Sequence, residues 1–293
     1  MGDQPFPKWN PAITLRTPPK VDGRMKGFAT ENLETRPLMV LAQNSFEGQT
    51  LALCGAGPSL KGQDITGVDR IFACNSALPY LVDQGVPVTA GVAIDQTLEL
   101  LEEWKDAPDV PYFVATTCHP KVIRRLREHG RQVIFFHNFV GFSNEFEWYC
   151  RHWPPTLMVG QGYTVVDRFL GAADWLGFTH VDVYGADHAF RGNPERGTPA
   201  GDEDVTHADG TLAASAYVNP LILEGEIDGR VWRTRPDMLI AAVHLARRVR
   251  DSGGKIRLMG DTLPGALLDK DDAFLDEVCK VLTPEEAKQH VLV

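Results

Sequence analysis

The chain has 293 residues, 43% of them hydrophobic, enough to bury a large core as one elaborated domain or two. Its 29 basic and 39 acidic residues give a formal net charge of -10, which argues against bulk nucleic acid or an anionic membrane surface as a partner. Five irregularly spaced cysteines, no apolar leader after Met1 and no apolar run near the roughly 20 residues of a membrane span lead to the expectation of a reduced, cytoplasmic protein that crosses no membrane.

Residues 1–48 carry Pro5, Pro7, Pro11, Pro18, Pro19 and Pro37 with little apolar periodicity, and read as an extended arm with one short helix near its end. Such an arm is expected to wrap the core or to join copies in a homo-oligomer. From Thr50 onward, short apolar runs at 50–54, 70–74, 89–94, 111–116, 132–136, 180–184 and 255–259 predict strands. Amphipathic stretches at 77–84, 96–105, 120–129, 163–176 and 236–250 predict the helices between them. Runs that are apolar almost throughout suit parallel strands covered on both faces. The chain is therefore expected to be α/β, a Rossmann-like, doubly wound, mostly parallel sheet with helices on both faces.

The core domain is set at 49–265, interrupted at 188–233 by a Gly-, Pro- and acid-rich insertion that is expected to act as a lid or binding loop. A C-terminal tail at 266–293 is expected to be helical, with Thr283-Pro284-Glu285-Glu286 as a capping box.

Chemistry-bearing residues cluster at the predicted strand ends, where Asn75, Asp95, Asp187 and Asp261 follow apolar runs and are expected to converge on one crevice. Gly55-Ala56-Gly57-Pro58-Ser59 can bring backbone N–H groups to a phosphate at a helix start, or can be a tight turn with Ser59 as a local cap. Leu60 stands where a dinucleotide fingerprint has its third glycine, and no Gly-Lys-Ser/Thr of a P-loop follows. Asn75 and Ser76 can contact a base, ribose or phosphate, or can cap the next helix. Asp95 and Asp187 can share a Mg²⁺ ion, which commonly takes one or two carboxylates and completes its shell from water and phosphate; either can instead be an N-cap. Gly185 leaves room for a ligand beside Asp187.

Further on, Gly160-Gln161-Gly162-Tyr163-Thr164 offers a second glycine-flanked helix start to an anion. His207 can act as general acid or base, or can be a solvated loop histidine. Arg191, Arg196, Arg230 and Arg233 lie in or beside the insertion and can clamp phosphate. Cys118-His119 and Cys150-Arg151-His152 lack the second half of a zinc motif and are set aside.

In order, Gly55-Ala56-Gly57-Pro58-Ser59-Leu60, Cys74-Asn75-Ser76-Ala77-Leu78, Ala93-Ile94-Asp95, Gly160-Gln161-Gly162-Tyr163-Thr164, Leu176-Gly177-Phe178 and Tyr184-Gly185-Ala186-Asp187 resemble the 6-hydroxymethylpterin diphosphokinase MptE-like family over roughly residues 49 to 265. The resemblance implies a Rossmann-like core and Mg²⁺-dependent transfer of diphosphate from ATP to a pterin alcohol, with Gly55, Gly57, Ser59, Asn75, Asp95 and Asp187 as nucleotide, phosphate and metal contacts. The family commonly has Gly-Gly-Ser or similar where this chain has Gly160-Gln161-Gly162-Tyr163, and the Pro-rich arm has no evident counterpart in the kinases. The Gly-Pro-Ser-Leu element also resembles the start of bacterial sialyltransferases that use CMP-sialic acid, and of flagellin-modifying glycosyltransferases that contain an MptE-like module.

Three readings follow: a Mg²⁺-dependent diphosphokinase or phosphotransferase acting with ATP on a small hydroxylated, pterin-like acceptor; a glycosyltransferase using a CMP-activated sugar, with His207 assisting departure; and a non-catalytic nucleotide-binding or assembly protein. The carboxylates Asp95 and Asp187 favour the first. The expected site comprises Asp187, His207 and Asp95 as catalytic groups, Asp95 and Asp187 as metal ligands, and Gly55, Gly57, Pro58, Ser59, Asn75, Ser76, Gly160, Gly162 and Gly185 around the nucleotide.

Overall fold

Apolar runs too short for helices build the centre of the molecule as strands. A computed structural model describes residues 21–34, 41–96, 98–139, 144–152, 159–160, 162–190 and 223–278. Strands β1 (Thr50–Cys54), β2 (Arg70–Cys74), β3 (Ala90–Ala93), β4 (Tyr112–Ala115), β5 (Val133–Asn138), β6 (Val159–Gly160) and β7 (His180–Tyr184) are followed by β8 (Leu223–Ile227), β9 (Arg230–Thr234) and β10 (Ile256–Leu258). Eight of them form one sheet in the order β10-β7-β1-β2-β3-β4-β5-β6, with every neighbouring pair parallel. Every residue of β3, β4 and β5 is buried, as strands covered by helices on both faces require.

The chain runs outward from β1 through β2 to β6, then returns to place β7 on the other side of β1. The direction of winding therefore reverses beside β1. In open α/β sheets, the crevice at the carboxyl ends of such strands is where ligands bind.

The helices are α1 (Val21–Glu34), α2 (Ala77–Asp83), α3 (Glu99–Glu103), α4 (Pro120–Glu128), α5 (Glu145–His152), α6 (Val165–Leu176), α7 (Pro236–Asp251), α8 (Leu263–Leu267) and α9 (Asp272–Val278). Their starts follow local chemistry. Proline sits at the beginning of α4 and α7, and the His119 side chain accepts from the Lys121 amide at 3.2 Å. Helix α6 opens on a Thr164–Asp167 capping box and closes on Gly177 in the left-handed conformation. Its apolar stripe enters the core, where Phe169 meets Phe72, Phe113 and Phe136 at ring-centroid distances of 5.7, 5.3 and 5.6 Å.

Three expectations change. The helix expected over 96–105 is only the five residues of α3, ending where the Trp104 indole donates to the Asn75 carbonyl at 3.0 Å. The insertion is not irregular throughout: β8 and β9 pair as an antiparallel hairpin, and Leu223, Ile227 and Trp232 pack with Leu239 and Val243 of α7 in a second apolar cluster. The described part of the arm is largely the 14-residue α1, docked on its own chain with Ala29 and Leu33 buried. Asn32 fastens it by donating to the Thr116 and Cys118 carbonyls, both at 2.8 Å. Residues 1–20, 191–222 and 279–293, which include His207, Arg191, Arg196 and the Thr283 capping box, lie outside the described residues.

Cys54, Cys74 and Cys118 are buried free thiols and Cys150 is an exposed one. Among the described residues, no helix is long and apolar enough to cross a membrane.

Candidate active site at the strand ends

The turn after β1 and the turn after β7 cross at close range, and glycine permits the crossing. A Cβ on Gly57 would lie 2.1 Å from Asp187 Oδ2 and 2.7 Å from the Gly185 carbonyl oxygen. One on Gly185, whose φ is +60°, would lie 2.2 Å from the Gly55 carbonyl oxygen. The Gly57 amide donates to the Gly185 carbonyl at 2.9 Å, and Asp187 Oδ2 accepts from both the Ser59 amide at 3.1 Å and the Ser59 hydroxyl at 2.7 Å. Two amides expected to cradle a phosphate are thus already bonded within the protein. No true helix follows either, only a three-residue 3₁₀ turn, Pro58–Leu60. Asp187, buried at 5% exposure, acts as the clasp between the two turns.

Beside this crossing lies a cavity of about 430 Å³, of the size that takes a small-molecule ligand. Gly55, Gly57 and Pro58 line it after β1, Asn75 and Ser76 after β2, Asp95 after β3, and Gly185 and Asp187 after β7. The structure therefore gathers eight of the expected residues, drawn from four strand ends, around one space. Ser59 is buried behind the turn, and Gly162 is not among the described lining residues; of Gly160 only its place at the end of β6 is described. Gly162 instead closes the start of α6, with its carbonyl accepting from Arg168 Nε at 2.9 Å.

Asp95 lines the β3 wall. The Asn75 amide nitrogen donates to its Oδ2, and Asn75 itself is held at φ +47° with its own amide donating to the Val92 carbonyl. Burial raises the Asp95 carboxyl above its ordinary value, and nearby Glu99 adds to the rise; the Asn75 hydrogen bond and the Arg168 charge work against it. Glu99 and Glu103 extend this acidic wall, and Arg235, paired with Asp237, is a basic residue of the same lining.

His188, absent from the expected site, has the clearest chemical poise. It is 9% exposed, lines the cavity and holds a left-handed backbone at φ +54°, a conformation uncommon outside glycine. Its Nδ1 lies 2.8 Å from the Ala186 carbonyl, to which it donates, and Nε2 meets no partner among the described residues. Thr234 holds the residue from behind by donating to the His188 carbonyl. A histidine directly after Gly-Ala-Asp at a strand end was the available signal, overshadowed by the neighbouring carboxylate.

The remaining wall is the start of α6. The Thr164 hydroxyl accepts from the Asp167 amide at 3.3 Å, and Asp167 accepts from the Tyr163 and Thr164 amides. Val165 and Val166 also line the cavity, and their amides meet no acceptor among the described residues. The insertion arginines that are described serve the hairpin instead. Arg230 pairs with Asp261 at 2.6 Å over the Trp232 ring, and Arg233 pairs with Glu224 at 3.0 Å.

Among the described residues, no three His, Cys, Asp or Glu side chains group as a metal-binding cluster. Mg²⁺ needs no such cage, since it keeps waters and takes phosphate oxygens. Oxygen donors on the acidic wall suit it, with Asp95 the nearer fit because Asp187 is engaged by Ser59.

No curated protein matches the chain. A solved structure with a similar fold is the MAf glycosyltransferase from Magnetospirillum magneticum AMB-1, at a TM-score of 0.57 and 16% identity over 95% of this chain and 43% of that one. This chain therefore corresponds to less than half of that protein, and at this identity the likeness is one of fold. The profile of the 6-hydroxymethylpterin diphosphokinase MptE-like family matches residues 28–193. With more than half its length so matched, the chain belongs to the 6-hydroxymethylpterin diphosphokinase MptE-like family.

Proposed function

We propose that the chain is a nucleotide-dependent transferase, a diphosphokinase of the MptE-like type that moves a diphosphate from ATP to the hydroxyl of a small, pterin-like acceptor. The observation that carries this reading is the presence, in the lining of one cavity, of the Asp95 carboxyl group and of His188, whose Nε2 meets no partner among the described residues. An anionic nucleotide would be repelled by the carboxylates of Asp95 and Glu99 unless a divalent cation came with it. Asp95 would hold Mg²⁺, which when bound offsets charge on the phosphate oxygens.

His188 Nε2 takes the proton from the acceptor hydroxyl as the new oxygen–phosphorus bond forms at the β-phosphorus and the bond to the departing AMP breaks. The products are AMP and the acceptor diphosphate. Family membership supports the reaction class, and the size of the cavity supports a nucleotide-sized donor.

A second reading, glycosyl transfer from a CMP-activated sugar, is favoured by one feature. Asp187 Oδ2 is bound to Ser59, so Asp95 and Asp187 are less open to a shared metal ion than two unengaged carboxylates would be. In this reading His188 would serve the acceptor hydroxyl in the same way.

Thermal unfolding with ATP, GTP, CTP and CMP, each with and without Mg²⁺, separates the two. A ligand at a hundred times its Kd adds about 2.7 kcal/mol of stability, which is readily measured. Stabilisation by ATP only with Mg²⁺ is the expected result. Stabilisation by CMP without metal transfers the assignment to the glycosyltransferase, and no stabilisation by any of them removes both readings in favour of a binding or assembly role.

A further inference from the structure

We infer that one four-residue segment, Tyr163 to Val166, holds the nucleotide, with the Tyr163 ring stacking on the base and the Val165 and Val166 amides binding its phosphate. The inference rests on the reading that the cavity takes a nucleotide, and it names the parts that recognise it.

The phosphate half follows from where open donors remain. Helix α6 has 12 residues, long enough to carry a dipole, and its capping box leaves the amides of its first two residues, both in the cavity lining, without a protein acceptor among the described residues. A second feature independently marks this space for a ligand: His188, nine-tenths buried in the cavity lining, bonds through Nδ1 to the Ala186 carbonyl, and its Nε2 has no partner among the described residues.

The base half follows from Tyr163. It is 54% exposed, an unusual placement for a large ring, and it lines the cavity. The ring does not hang loosely, because its backbone amide is held by Asp167 and its plane meets the His244 ring at 75° with centroids 5.5 Å apart. A fixed, half-open aromatic ring is a stacking platform that tolerates any base. Thr164 is extended, with φ -113° and ψ 170°. Tyr163 and Val165 are therefore about 7 Å apart along the chain, comparable to the separation of base and 5′-phosphate within a nucleotide.

Calorimetric titration of the full chain in excess Mg²⁺ tests both halves, using AMP, CMP, adenosine and ribose 5-phosphate as probes. Tyr163→Ala should weaken AMP and CMP about tenfold or more and leave ribose 5-phosphate unchanged, whereas Tyr163→Phe should bind as the parent does. Val165→Pro removes one amide at the first helical position, where proline is tolerated and where the extended Thr164 is compatible with it. It should weaken AMP, CMP and ribose 5-phosphate about tenfold and leave adenosine unchanged. Parent-like affinity for every probe in both variants overturns the inference while the transferase reading stands. Failure of the parent protein to bind AMP or CMP overturns both.

Discussion

After β1, the amides of Gly57 and Ser59 are bonded to Gly185 and Asp187, whereas at the start of α6 the amides of Val165 and Val166 meet no acceptor among the described residues. The two turns look alike in sequence, each glycine-flanked and each leading from a strand end. They do different work. The first uses glycine so that two stretches of main chain can cross within contact distance, and its donors hold that crossing together. The second uses a capping box to anchor its outer amides and leaves two without an acceptor among the described residues, the pair proposed to bind a ligand. Glycine at a strand end therefore signals close approach in general, and only the bonding partners tell whether protein or ligand makes that approach.

The comparison can be broken most strongly at its catalytic side. His188→Asn keeps a residue type that tolerates the left-handed backbone and removes the imidazole, so turnover should fall about 10²- to 10⁴-fold while the melting temperature stays near the parent value. A variant with parent-like kcat removes His188 from the mechanism.

On the packing side, Gly57→Ala puts a methyl group into the Asp187 carboxylate and the Gly185 carbonyl, and should cost about 3 kcal/mol in urea unfolding. An unchanged unfolding midpoint would show that the crossing is looser than described. Asp187→Ala leaves the Ser59 amide and hydroxyl without their acceptor and should cost about 2 kcal/mol, so part of any lost activity will be lost stability. Equal stability of variant and parent would return Asp187 to a purely chemical role.

The smallest effect concerns pH. Because burial raises the folded-state pKa of Asp95, its charge opposes folding, and the fold is favoured below the ordinary carboxylate value of 3.8 and loses that advantage as pH rises through the folded pKa. Asp95→Asn should therefore be more stable than the parent at neutral pH, with the gain fading as the pH falls toward 3.8. A gain that stays constant across this range would contradict the assigned direction.

Much of the sheet could be read from the chain because its strands are nearly continuous apolar runs: β1, β2 and β7 begin and end where those runs do. β6, two residues long, offers no pattern to detect. The β8–β9 hairpin mixes Glu224, Gly225, Asp228 and Gly229 among its apolar residues, and resembled loop. At the site, the strand-end rule drew attention to Asn75, Asp95 and Asp187, which line the cavity, and to Asp261, which is not among the lining residues and pairs with Arg230. What it could not reveal is that Asp187 is bonded to a serine 128 positions earlier, or that a carbonyl two residues back fixes the His188 tautomer. Both depend on how the two turns cross, a matter of tertiary packing.

Amide chemical shifts in a nucleotide titration followed by NMR test the central claim most directly. The account predicts that added AMP or CMP with Mg²⁺ moves the Val165 and Val166 resonances most, with Gly57 and Ser59 nearly still. Large shifts at Gly57 and Ser59, with Val165 and Val166 unmoved, would contradict it.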